Sequence, residues 1–282
     1  MQTLLLTTAT FCCCAATTVD PTNRYAYSGN LGWMDGRGET NNGAVIGEYV
    51  CSGYIYAANV GWISLGNSSP PGGIYYSNTG ASDWGVNNQD GLGNLRGYAY
   101  GANIGWIAFE NTGTPKVDLA TGNFSGYVWS ANCGWIGLTN TFAHVQTDTV
   151  LAGTDSDGDG IPDAWELTYT NTLTVFNATS DTDHDGVSDK NEYYADTNPL
   201  DPSDYLNITA ITQQSPPGTY TTLSWPGKPT RFYAAQRRNT LDPSDSWGPD
   251  FVSGGPGAVW FGFNVTTNQQ FFRIRAFRPL TP

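Results

Sequence analysis

The stretch Tyr54-Ile55-Tyr56-Ala57-Ala58-Asn59-Val60-Gly61-Trp62-Ile63 sets a pattern that occurs four times without a gap. The other copies are YAYSGNLGWM from Tyr25, YAYGANIGWI from Tyr98 and YVWSANCGWI from Tyr127. The invariant asparagines, Asn30, Asn59, Asn103 and Asn132, stand 29, 44 and 29 residues apart, which marks a repeat architecture. Each copy reads as a short alternating aromatic strand, a tight turn in which Asn and Gly tolerate positive φ, and a second strand such as Trp62–Leu65. Gly93–Gly97 and Gly122–Gly126 match each other upstream, so each unit is expected to hold about three short strands. Two readings stand for Trp33, Trp62, Trp106 and Trp135. Recurrence at one register favours rings that anchor each hairpin in a common core; alternatively the rings are exposed and stack on sugar faces.

This pattern resembles a repeat of secreted bacterial proteins with a Gly-Tyr-Ala-Trp…Asn-x-Gly-Trp-Ile signature. The resemblance covers about Tyr25–Thr139 and implies no chemistry of its own.

The net charge of the 282-residue chain is −13, and it is local. Residues 1–147 carry 8 acidic and 4 basic residues, and residues 205–282 carry 3 and 7, whereas 148–204 hold 14 acids and one lysine. Such an acid excess argues against nucleic-acid partners. No run reaches the ~18 apolar residues of a membrane span.

The acids fall into two twelve-residue loops. Asp155, Asp157, Asp159, Asp163 and Glu166 occupy positions 1, 3, 5, 9 and 12 of the first, and Asp181, Asp183, Asp185, Asp189 and Glu192 those of the second. Gly160 and Gly186 sit at position 6, and Ile161 and Val187 at position 7, where a backbone carbonyl faces the ion. Calcium requires 6–8 hard oxygen ligands, and this is the spacing with which an EF-hand loop supplies them. The expectation is two or more Ca²⁺, with brief helices over Ala164–Tyr169 and Lys190–Tyr194. Without metal, the crowded carboxylates repel and the segment should swell.

The segments DSDGDGIPDAWE, DTDHDGVSDKNE and ADTNPLDPSD resemble the thrombospondin type 3-like calcium repeats of bacterial surface proteins. The resemblance implies a calcium-ordered connector between β domains in an extracellular or cell-surface bacterial protein. It also implies that Asp196, Asn198 and Asp201 add ligands.

Beyond Tyr205, alternating segments predict six strands, at 205–212, 220–225, 231–237, 247–252, 258–265 and 271–277. An immunoglobulin-like sandwich has seven or more. Leu223-Ser-Trp225, Arg231-Phe-Tyr233 and Phe271-Phe-Arg-Ile-Arg275 resemble the fibronectin-like domains that end many secreted bacterial proteins. At the other end, MQTLLLTTATFCCCAATTVD has no Lys or Arg before its apolar stretch, so it reads as an extended strand of the mature chain. A spare strand beside a sandwich one strand short points to exchange between subunits.

The chain is thus all-β. It is organised as an N-terminal segment 1–19, a repeat domain 20–147, an acidic connector 148–204 and a sandwich 205–282. Of its five cysteines, Cys12, Cys13 and Cys14 are read as disulfide partners for Cys51 or Cys133 outside the cell, or all five as buried thiols. His144 and His184 lie in no nucleophile motif, and Glu39, Glu48 and Glu110 are the only glutamates of the repeat domain, so no catalytic residue is expected. Two functions remain. One is a calcium-stiffened structural protein that joins copies of itself head to tail into a fibre; the other is an adhesin whose repeat tryptophans bind glycans.

Overall fold

The computed structural model describes residues 17–38, 41–213, 220–242, 244, 246–248, 251–252, 256–257, 259–264 and 270–281. The expectations for residues 1–16, including Cys12, Cys13 and Cys14, and for Glu39 lie outside them.

Each repeat copy folds as a two-stranded antiparallel hairpin. The pairs are β1 (Val19–Ser28) with β2 (Gly32–Asp35), and β3 (Ser52–Ala57) with β4 (Gly61–Asn67). After β5 (Val86–Asn88), β6 (Leu95–Gly101) pairs with β7 (Gly105–Phe109). Past β8 (Lys116–Val117) and β9 (Phe124–Ser125), β10 (Tyr127–Ser130) pairs with β11 (Gly134–Gly137), and β12 (Val145–Thr147) follows. The unit is therefore two strands, not three: Gly93–Gly97 runs into β6, and Gly122–Gly126 contributes only β9, which pairs with β8.

The hairpins join edge to edge, and β11 returns to β1 at Tyr27↔Gly137, so eight strands close into a barrel. β5 and β12 pair onto β6 and β1 outside the ring. Closure removes the edges that an open four-hairpin sheet would expose. Alternation then sorts the side chains. Ala26, Met34, Ala57, Ile63, Ala99, Ile107, Val128 and Ile136 point inward and are buried, leaving a void of about 40 Å³. An eight-stranded interior is only wide enough for side chains to fill it.

The tryptophans take the opposite face. Trp33, Trp62, Trp106 and Trp135 are 50, 43, 45 and 45% exposed, which overturns the reading that they anchor the core. The strand register that turns the aliphatic residues inward turns the rings outward. There each Trp meets its cross-strand partner, with centroids 5.3 Å apart for Tyr27–Trp33, 4.9 Å for Tyr56–Trp62, 4.8 Å for Tyr100–Trp106 and 5.1 Å for Trp129–Trp135.

The repeated Asn closes the ring. Its side-chain amide donates to the backbone carbonyl of the neighbouring turn: Asn59 to Leu31 (2.9 Å), Asn103 to Val60 (3.0 Å), Asn132 to Ile104 (2.8 Å) and Asn30 to Cys133 (2.9 Å). Only the glycine of each turn has positive φ, +75° at Gly32 and +82° at Gly61. The asparagine is thus retained for its amide and not for a left-handed backbone. The residues after it, Leu31, Ile104 and Cys133, are buried beneath the turns.

Two short helices, α1 (Asp163–Tyr169) and α2 (Asp189–Ala195), leave the acidic loops close to their expected spans. The last six strands are β13 (Ala210–Gln213), β14 (Tyr220–Ser224), β15 (Phe232–Arg238), β16 (Phe251–Val252), β17 (Trp260–Asn264) and β18 (Phe271–Phe277). They form two three-stranded sheets, β13-β14-β17 and β16-β15-β18. The sheets share a core of Leu223 and Phe263 from one with Tyr233 and Ala235 from the other, and Trp225 packs beside it.

Cys51 and Cys133 are free and buried, as in the buried-thiol reading; Cys12, Cys13 and Cys14, the partners of the disulfide reading, lie outside the described residues. Burial pushes the Cys51 thiol up to about 12, as for an inert small core residue.

Candidate metal centre

The two acidic loops fold alike because the same residues bond the same backbone groups. At position 1, Asp155 accepts from the Gly158 and Gly160 amides at 2.7 and 2.9 Å, and Asp181 accepts from His184 and Gly186 at 2.8 and 3.0 Å. At position 5, Asp159 and Asp185 accept from Ile161 and Val187 at 2.8 and 2.7 Å. Gly160 and Gly186 turn the chain at φ +91° and +93°, which a side chain rarely adopts. The carboxylate oxygens of Asp155, Asp157 and Asp159 lie within 4.8 Å of one another, and so do those of Asp181, Asp183 and Asp185.

Position 12 closes each loop from the helix. Glu166 and Glu192 are fully buried. Both carboxylate oxygens of Glu166 lack a hydrogen-bond partner, as does Oε2 of Glu192, whose Oε1 accepts from the Thr197 hydroxyl at 3.2 Å. Asp159, Asp183 and Asp185 each carry one further orphaned oxygen. Burial, followed by the charges of Asp157 and Asp159, pushes Glu166 up to about 8; burial and Asp183 push Glu192 up to about 8. Buried acceptors without donors are costly. A hard divalent cation satisfies them, and the oxygen-only donor set suits calcium.

Position 9 is hydrogen-bonded to the start of its loop. Asp163 accepts from the Ser156 amide (2.7 Å) and hydroxyl (2.6 Å), and Asp189 from the Thr182 amide (3.0 Å) and hydroxyl (2.9 Å) and the Ser180 hydroxyl (2.5 Å). These carboxylates brace the start of each loop against the first turn of its helix. The residues from which the resemblance implies extra ligands make contacts of their own. Asp196 contacts Thr230 and Arg231, Asn198 Oδ1 accepts from Leu200, and Asp201 accepts from Ser203.

The two loops are not independent. Lys190 of the second reaches the Asp159 carbonyl of the first at 3.3 Å. Behind them Ile161, Trp165, Phe176 and Tyr193 form a small core against Tyr49 of the barrel segment. The Tyr193 hydroxyl donates to Glu48 at 3.0 Å, and Glu48 also binds Arg231 at 3.0 Å and Arg278 at 3.1 Å. Arg231 in turn donates to the Tyr193 carbonyl at 2.9 Å. Glu48 thus belongs to a buried clasp that joins barrel, connector and sandwich. Sequence reasoning missed it, because a lone Glu 183 residues before its Arg carries no local signal.

Residues 155–172 and 181–202 match the family model of the bacterial TSP3 repeat. That repeat is a structural calcium-binding unit, typical of extracellular proteins. The comparisons with curated proteins and with solved structures return no match. Among the described residues no helix is long and apolar enough to cross a membrane.

Proposed function

We propose that the chain is an extracellular structural subunit stiffened by two calcium ions, one per loop. The buried carboxylate oxygens without a hydrogen-bond partner, both of Glu166 and Oε2 of Glu192, carry this reading. Asp155, Asp157, Asp159, Glu166 and the Ile161 carbonyl hold the first ion; Asp181, Asp183, Asp185, Glu192 and the Val187 carbonyl hold the second. Asp163 and Asp189 keep the loops in shape. Glu192 immediately precedes Tyr193 of the clasp, so ion binding at the second loop holds the joint between barrel and sandwich. Binding energy is then ordering energy for the whole chain. The test is calorimetric titration of metal-stripped protein with CaCl₂, followed by limited proteolysis. Two ions bound and a connector protected from cleavage are expected; no heat of binding, or a connector cut equally with and without calcium, overturns the reading.

The finer reading is head-to-tail assembly, and the exposed β13 edge of the sandwich supports it. Ile211 of β13 lies opposite the fully buried Leu223, hence on the core face, yet it is 58% exposed. We infer that residues 1–16 of a neighbouring copy add to this β13 edge, MQTLLLTTATFCCCAA supplying the apolar side chains. Such a contact is heterologous and propagates. Sedimentation and electron microscopy of the full chain in calcium should show filaments that a variant lacking residues 1–16 does not form. Equal polymerisation of both, or a monomeric full chain, overturns it.

A further inference from the structure

The spacing between the second and third asparagines is 44 residues, whereas the other two spacings are 29. The added length falls in the connection between β4 and β6, and it folds back over the outer face of the third hairpin. There Trp84 packs edge-on against Trp106, centroids 5.2 Å apart at 82°, and against Tyr100 at 6.0 Å. Tyr98 completes the cluster at 6.0 Å from Trp106. The result is an open cleft of about 390 Å³ lined by Asn78, Thr79, Gly80, Trp84, Tyr98 and Trp106.

We propose that this cleft binds neutral hexopyranose units of a polysaccharide, independently of calcium binding and assembly. One wall is aromatic and pre-set: edge-to-face contacts hold the rings, so little is lost in ordering them on binding. The C–H face of a pyranose is weakly positive and suits the negative face of an indole or phenol. The other wall offers an amide and a hydroxyl, the donor and acceptor groups that sugar hydroxyls require. Asn78 is itself held in place, accepting from the Gly85 amide at 3.1 Å and donating to the Tyr76 carbonyl at 3.3 Å. None of the six lining residues is charged, so a carboxylated, phosphorylated or cationic ligand finds no counter-charge among them. The cleft is open at the side, which lets a chain continue past the bound unit. The other three hairpins present the same Tyr-Tyr-Trp or Tyr-Trp-Trp sets, and none of their rings lines this cleft, so they are the built-in control.

The experiment uses the full chain saturated with calcium. Cellohexaose and maltohexaose are the probes, read by isothermal titration and tryptophan fluorescence, with an octaproline peptide and a polygalacturonate hexamer as counter-probes. Saturable binding of at least one neutral hexaose is expected, weakened tenfold or more by Trp84→Ala and unchanged by Trp33→Ala. Gly80→Tyr gives a second blocking variant that spares the fold, since a Cβ at Gly80 meets open space. It should abolish binding while leaving the melting temperature unchanged. Failure of both hexaoses to bind, binding undiminished in both cleft variants, or preference for the proline peptide or the charged hexamer each overturns the proposal.

Discussion

Asn59 illustrates how a repeated residue acquires its reason only from its neighbour. Its amide bonds the Leu31 carbonyl of the preceding turn, and the four such bonds run head to tail around one end of the barrel. Asn132→Ala removes one of them and strips the Ile104 carbonyl of its donor, a cost of about 1–3 kcal/mol. Urea denaturation should show the midpoint falling with an unchanged slope. At Glu166 and Glu192 the sign of a pH effect follows from burial. Both carboxyls are raised from 4.5 to about 8 in the metal-free chain, so the folded state holds their protons more tightly than the unfolded one. That stability is complete below about pH 4.5 and is lost as pH rises toward 8. Metal-stripped protein is therefore expected to melt higher at pH 5 than at pH 8. Saturating calcium should reverse the order, because protons then compete with the ion; scanning calorimetry at the two pH values checks both. The groups facing Glu166 include Asp155, Asp157, Asp159 and Asp163, and Lys190 reaches the Asp159 carbonyl nearby, so acids dominate its surroundings.

The hairpin is the element that the sequence shows best, since its strands and turn lie within ten residues. The two strands of each copy, the tight turn and the outward set of rings all follow from period-two alternation once one face is known to be buried. Which face is buried does not follow. Rings and aliphatic residues are both apolar, and hydrophobicity alone ranks Trp as a core residue; only barrel closure, with its narrow interior, sends the rings outside. The exposed pairs still stabilise the hairpins. A double-mutant cycle on Trp129 and Trp135, 5.1 Å apart, is expected to give a coupling of about 0.5–1.5 kcal/mol in thermal denaturation. The calcium loops are the other element legible in sequence, because spacing within twelve residues fixes which carboxylates meet. What the spacing does not specify is the hydrogen bonding of Asp163 to Ser156 and of Asp189 to Thr182.

At the scale of the molecule, Glu48 matters more than its surroundings in sequence reveal. Arg231 is almost fully buried, and Glu48 is its nearest charge partner. Glu48→Gln leaves that guanidinium inadequately paired, which costs about 3–5 kcal/mol when a buried pair is broken. Calorimetry is then expected to resolve two transitions for the variant and one for the native chain, as barrel and sandwich lose their joint. The sequence by itself determined the all-β class, the four hairpins, the two acidic loops and the localisation of the net charge, since each is written in residues close along the chain. Only the tertiary structure decided that the hairpins close into a barrel, that the rings line its outside, that Cys51 and Cys133 are free, and that the connector is clasped between its neighbours. Those outcomes depend on which distant backbone edges and buried charges meet. Local propensity leaves such meetings open, and packing settles them.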